Sequence, residues 1–220
     1  MKSKSTLVWD WPVRVSHWLM ALLFTGLIVS GKSDGQYIEY HFYMGYGLSA
    51  VVIARVLYGF YGSYYARFQQ FIKGPKAVAD YLVSVLKDKP RAHLGHNPLG
   101  GWMVLVLLGA LTIQWTTGLF SSDDIFWFGP FNGMVSEDLV GELVSIHRQL
   151  PDILIGLVAL HIAAVFYHEV RLKERLAHAM VNGKKPYQKA AVLVATPRWG
   201  VIFSLFIGLV WLAALWLMPI

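Results

Sequence analysis

The sequence contains no cysteine in its 220 residues. That absence excludes disulfides, iron–sulfur clusters, thiolate zinc sites and haem attached covalently through a C-x-x-C-H motif. Charge is also scarce: 15% of residues are Asp, Glu, Lys or Arg, against about 25% in soluble domains. The apolar share is 56%, above the usual ~45–50%. This balance argues against a water-soluble enzyme. Low-complexity stretches and internal repeats are missing too, and the length fits a single domain over residues 1–220. The net charge of +6 has three readings until its location is known: nucleic acid, anionic lipid or loop asymmetry.

What the chain does have is long apolar runs. A membrane span needs about 20 apolar residues to cross a ~30 Å hydrocarbon core. Five segments qualify, over about 13–31, 42–61, 99–120, 149–167 and 200–217. Aromatics mark their ends, among them Trp9, Trp11, Tyr61, Trp127, Trp199 and Trp216, as an interfacial belt does. Lys2 and Lys4 ahead of the first run imitate a cleaved signal peptide. Asp10, Pro12, Arg14 and His17 interrupt that entry, however, and no A-x-A-like site follows. The expected fold is therefore all-α, an integral membrane helical bundle.

Charge placement then sets orientation. With a cytoplasmic N-terminus, 17 of the 19 basic residues fall inside, leaving Lys32 and Arg148 outside. Eight acids (Asp34, Glu39, Asp123, Asp124, Glu137, Asp138, Glu142 and Asp152) lie toward the outer face. The positive charge thus reflects the positive-inside rule in a multi-pass membrane protein, with lipid and not nucleic acid as its partner. Two cytoplasmic connections carry structure of their own. Residues 75–89 place Val78, Tyr81, Leu82, Val85 and Leu86 on one stripe, predicting an interfacial helix. The fourth span is expected to continue as helix past Tyr167 to a stop at Asn182-Gly183.

Histidine carries the chemistry. Of eight histidines, His93, His96 and His178 fall in cytoplasmic segments, and the others lie in spans or at their edges, where ionisable groups are rare and usually functional. His147 and His161 share the fourth helix, so 14 residues put them about 40° from the same face and about 21 Å apart in depth. His41 opens the second span level with His147, and His17 lies about 20 Å below the outer end of the first, level with His161. The natural pairs are His41 with His147 and His17 with His161. Zinc wants three or four ligands, and neither pair has an inward carboxylate beyond a weak candidate in Asp152. Haem iron takes two axial ligands from opposite sides, which facing bundle helices supply. Each histidine taken alone could equally be bonded to a neighbouring helix.

Supporting residues fit the same picture. Arg55 follows His41 by 14 residues, on the same face and about 21 Å deeper. It suits a propionate carboxylate, as does Arg14, although both could instead snorkel to lipid headgroups. Gly45 and Gly100 are candidates for contact with a flat macrocycle, or for ordinary helix packing.

The chain resembles the prokaryotic cytochrome b561 family, which includes the b-type cytochrome subunits of nickel–iron hydrogenases. The matching strings run nearly end to end. They are Arg14-Val15-Ser16-His17-Trp18, His41-Phe42-Tyr43-Met44-Gly45, Gly59-Phe60-Tyr61-Gly62-Ser63 and Gly95-His96-Asn97-Pro98-Leu99-Gly100, with His147 and His161 at the family's spacing. The resemblance implies two non-covalent b haems ligated by His17, His41, His147 and His161, in a four-helix di-haem core with a fifth transmembrane helix. It also implies electron exchange with the quinone pool, for which His96, Asn97 and His168 are candidate contacts at the inner level; His168 is also an alternative inner ligand.

Three functional readings follow. The leading one is an electron-transfer subunit of a respiratory oxidoreductase, linking a periplasmic partner (a c-type cytochrome or a hydrogenase-like subunit) to quinone. The alternative is a stand-alone superoxide:quinone oxidoreductase, which Lys32 and Arg148 alone would have to serve with positive charge among eight outer acids. The third is a transporter or scaffold whose histidines are structural.

Overall fold

The structure, a computed structural model, describes residues 5–87, 92–122, 127–186, 192 and 194–218. Among them, five helices are long and apolar enough to cross a membrane: α1 (Trp11–Gly31), α2 (Ile38–Tyr61), α5 (Pro98–Gly118), α6 (Glu137–Val170) and α8 (Arg198–Trp216). The short helices α3 (Phe68–Phe71), α4 (Pro75–Leu86) and α7 (Leu176–Asn182) lie in the connections. α4 is the interfacial helix expected at 75–89. Its last expected residues, Asp88 and Lys89, lie outside the described residues, as do Lys2, Lys4, Arg91, Asp123, Asp124 and Lys189.

The spans begin where the sequence supplies helix-starting chemistry. Asn97 caps α5, its Oδ1 accepting from Gly100 N at 2.7 Å just ahead of Pro98. Ser136 caps α6 by accepting from Leu139 N at 3.4 Å, with Glu137 and Asp138 in the first turn. α6 therefore starts 12 residues earlier than the apolar run alone indicates, and its 34 residues reach about 51 Å. Large apolar side chains such as Leu22, Leu160, Ile162, Phe206 and Leu209 stand exposed on the outside of the bundle, facing the bilayer.

Packing is uneven in a way that matters for the site. α2 packs closely on α1 and on α8, and α5 on α6, whereas α6 barely touches α1 and α2. A crevice is left between α6 and the α1–α2 pair. α8 sits on the far side of α2, where Gly208 lies close to the Ala50 carbonyl and Trp211 Nε1 donates to Ser49 Oγ at 2.8 Å.

The fourth span does not continue unbroken to Gly183. α6 ends at Val170 and reverses through Lys173, at φ +56°, before α7 begins. A buried His168 Nδ1 pairs with Glu174 Oε2 at 3.0 Å, and Glu174 N donates to the His168 carbonyl at 3.0 Å. Glu169 then accepts from Ala177 N at 2.7 Å. Side-chain bonds specific to this joint outweigh continuous helix propensity. The stop itself falls at Gly183, at φ +81°. Beyond it, β2 (Lys184–Pro186) pairs antiparallel with β1 (Ser5–Leu7), clamping the start of the chain beneath α1. The N-terminus and the connection between the fourth and fifth spans therefore share one side of the membrane.

Candidate haem-binding site

Two histidine pairs project into the crevice. At one end, His41 of α2 faces His147 of α6 with ring centroids 6.2 Å apart; deeper, His17 of α1 faces His161 of α6 at 6.4 Å. Two imidazoles binding one metal ion from opposite sides bring their centroids to about 6.2 Å, since each bond is about 2.0 Å and each centroid lies about 1.1 Å behind its nitrogen. The spacing of each pair would fit a single metal ion held between the two rings. Among the described residues no group of three or more His, Cys, Asp or Glu is arranged to hold a metal ion. Two-ligand sites are what these histidines could build.

Hydrogen bonds orient the first pair. The Ser30 hydroxyl donates to the Leu27 carbonyl at 3.2 Å, so its oxygen is left to accept from His41 Nδ1 at 3.0 Å. Gln114 Nε2 donates to the His147 carbonyl at 3.0 Å, and His147 Nδ1 donates to the Gln114 carbonyl at 3.0 Å. With Nδ1 donating in both rings, Nε2 is the nitrogen left with a lone pair, the usual arrangement behind a ligating imidazole.

Glycines clear the space around those rings. A Cβ on Gly118 would lie 2.8 Å from His147 Cε1, and one on Gly31 would lie 3.1 Å from His41 Cε1. Gly45 has only Leu27 at 4.0 Å from such a Cβ, and it faces a cavity of about 660 Å³ bounded by His41, His147 and Gly118. That volume is within the range of cofactor sites. Gly100 does not line this cavity; it packs over Asn97 Oδ1 at the start of α5.

The second pair has a more polar floor. Arg55 is buried inside the bundle, not extended to headgroups, and its Nη1 has no partner among the described residues. Arg14 Nη1 donates to the Val181 carbonyl at 2.5 Å, and Trp18 Nε1 to the Met180 carbonyl at 3.2 Å, tying α7 against α1 beside His17. His96 lies between Trp9 and Phe71, each ring centroid 4.6 Å away, with Nδ1 shut from solvent and unpartnered among the described residues. Burial first, then the charges of Arg55 and Lys185, lower its pKa to about 3 and keep it neutral. Lys185 is buried as well, which lowers its pKa against the opposing pull of Glu174, and its Nζ donates to the His93 carbonyl at 3.2 Å.

Of the three residues considered for quinone, only His96 keeps a buried ring nitrogen without a partner among the described residues. Asn97 is engaged as the α5 cap, and His168 is held by Glu174 at the α6–α7 joint. Residues that the sequence reading missed include Gly31, Gly118, Ser30 and Gln114. Gln114 was the most visible of these, an amide inside an otherwise apolar span.

An apolar helical bundle that spans the membrane and offers paired imidazoles to a glycine-cleared crevice defines a b-type cytochrome, a haem protein of membrane electron transport. A family profile described as prokaryotic cytochrome b561 matches residues 8–183. The chain belongs to that family. It is 24% identical to the probable Ni/Fe-hydrogenase B-type cytochrome subunit of Rhodobacter capsulatus, over 84% of this chain and 82% of that protein. The protein of the same description from Azotobacter chroococcum mcd 1 is also 24% identical, over 85% of this chain and 91% of its own length.

Proposed function

We propose that this chain is the membrane electron-transfer subunit of a respiratory oxidoreductase in a bacterial inner membrane, linking a redox partner on the outer face to the quinone pool. The observation that carries the reading is the pair of facing imidazole sets, at 6.2 and 6.4 Å, stacked along one helix. In this reading His41 and His147 hold one b haem, and His17 and His161 hold a second, about 20 Å deeper. Such a group supplies a one-electron iron couple when bound.

The chain's own residues do the rest. Ser30 and the Gln114 carbonyl fix ring tautomer and orientation, and Gly31, Gly45 and Gly118 admit a flat ligand between the helices. Arg55, with Nη1 free, and Arg14 are the bases available to carboxylates at the inner level. His96, neutral and walled by Trp9 and Phe71, offers a hydrogen bond and an aromatic slot to a quinone headgroup. The acidic outer surface suits a basic face on the partner. A hydrogenase-type subunit agrees with the names of the relatives, and a c-type cytochrome meets the same electrostatic requirement.

The superoxide:quinone reading gains from Arg148 and Lys32, which both line the outer cavity. Lys32 is paired with Asp152 at 3.2 Å, so Arg148 is the better placed of the two to attract an anion. One assay separates the readings. Purified protein should pass electrons from quinol to a cognate partner, with H96N slowing the quinol step, and should show no saturable superoxide-dependent quinone reduction. Fast superoxide turnover without a partner would favour the alternative.

A further inference from the structure

Asp10 is an acid where an acid is costly. It is 1% exposed, at the N-cap position of α1, yet its side chain caps nothing. An N-cap aspartate ordinarily accepts from the backbone N–H groups of its own helix. Here Oδ2 accepts instead from the hydroxyl of Tyr58, itself 3% exposed on α2, and Oδ1 has no partner among the described residues. The only bond its carboxylate makes among the described residues thus reaches from α1 to α2.

Arg55 is the group it acts on. Arg55 lies one turn before Tyr58 on α2, is 5% exposed, and its Nη1 has no partner among the described residues. No ion pair within 4.0 Å joins Arg55 and Asp10 among the described residues; the Tyr58 hydroxyl, one turn along α2 from Arg55, is what bonds to Asp10. Arg55 also acts on His96, whose pKa is lowered by burial first and then by the Arg55 charge. Asp10 also precedes His17 by seven residues of one helix, which is about 10 Å and about 20° from the same face.

We propose that Asp10 is the fixed counter-charge of Arg55, held by Tyr58, and that this buried pair sets the reduction potential at the His17–His161 level while leaving the His41–His147 level alone. The proposal rests on the ligation reading above. Taking up an electron at the inner level adds negative charge there. Asp10 opposes that gain and Arg55 favours it. The acid–base pair at the outer level, Lys32 with Asp152 at 3.2 Å, is exposed instead of buried, and it lines the outer cavity together with Arg148.

The test is an equilibrium redox titration, followed by visible absorption, of the full-length holoprotein. H17A identifies the inner centre as the one it loses. D10N is expected to raise the inner potential by about tenfold in the reduction equilibrium, which is 59 mV for one electron. R55Q should move it the opposite way, and D10E, which restores the charge, should return it close to wild type. The outer potential should stay within a few millivolts throughout. Unchanged inner potentials in D10N and R55Q, or equal shifts of both centres, would overturn the proposal. So would a D10N protein that lost the inner centre while R55Q left its potential unmoved. An H17A protein that kept two haems would instead refute the ligation reading, whatever D10N does.

Discussion

Gly118 shows how much a single missing methyl decides. The ring of His147 occupies the place where any other residue would put Cβ, 2.8 Å from Cε1. G118V is therefore expected to push His147 off its bond to the Gln114 carbonyl and to remove one haem of two, the outer one, with the inner spectrum intact. Haem extraction against protein concentration reads this directly. His96 gives a pH signature of its own. Its pKa is lowered from 6.5 to about 3 by burial and by Arg55 and Lys185, so the folded state keeps it neutral where the unfolded chain takes a proton. That contribution to stability is fully present above pH 6.5 and is lost progressively as pH falls toward 3. H96N should flatten the acid slope of melting temperature in detergent over that window; an unchanged slope would place the titrating group elsewhere. At this scale the four paired histidines were legible from spacing alone, because helical rise and turn convert sequence separation into depth and facing. Gly31, Gly118 and Ser30 were not, because their roles depend on which ring leans against them from another helix.

At the scale of elements, the five spans were legible because apolar length against bilayer thickness is a strong constraint, and caps such as Asn97 and Ser136 sharpen their starts. The break between α6 and α7 was not. Residues 171–175 carry no proline or glycine, and the reversal depends on His168 meeting Glu174 and on Glu169 capping α7. The signal that did survive is Gly183, where positive φ coincides with a close approach to the Trp9 carbonyl. G183A should cost about 1–3 kcal/mol through backbone strain and loosen the β1–β2 clamp, seen as a lower melting temperature and faster proteolysis near residue 183. An unaltered melting curve would mean the clamp contributes nothing. Arg55 likewise had two readings from the sequence. Burial within the bundle separates them, since a snorkelling arginine would reach headgroups instead.

For the molecule as a whole, the arrangement is a vertical one. α6 presents His147 and His161 along one face, α1 and α2 each answer with one imidazole, and α5 and α8 brace the two sides. The clamp of β1 on β2 puts the N-terminus and the basic connection before α8 on one side of the membrane, as the charge asymmetry of the sequence requires. The missing cysteines make topology easy to measure, since any thiol introduced is the only one. K184C is expected to react with a membrane-impermeant maleimide only after cells are lysed, and K32C in intact spheroplasts. The reverse pattern would invert the orientation and move the quinone site to the outer face. The central claim is that four histidines hold two haems in two layers, and it is tested most directly by haem stoichiometry in purified full-length protein. The account predicts two haems per chain in the wild type and one in each of H17A, H41A, H147A and H161A, with H17A and H161A losing the same centre and H41A and H147A the other. Two haems retained in any of these four variants, or a wild type with a single haem, would contradict it.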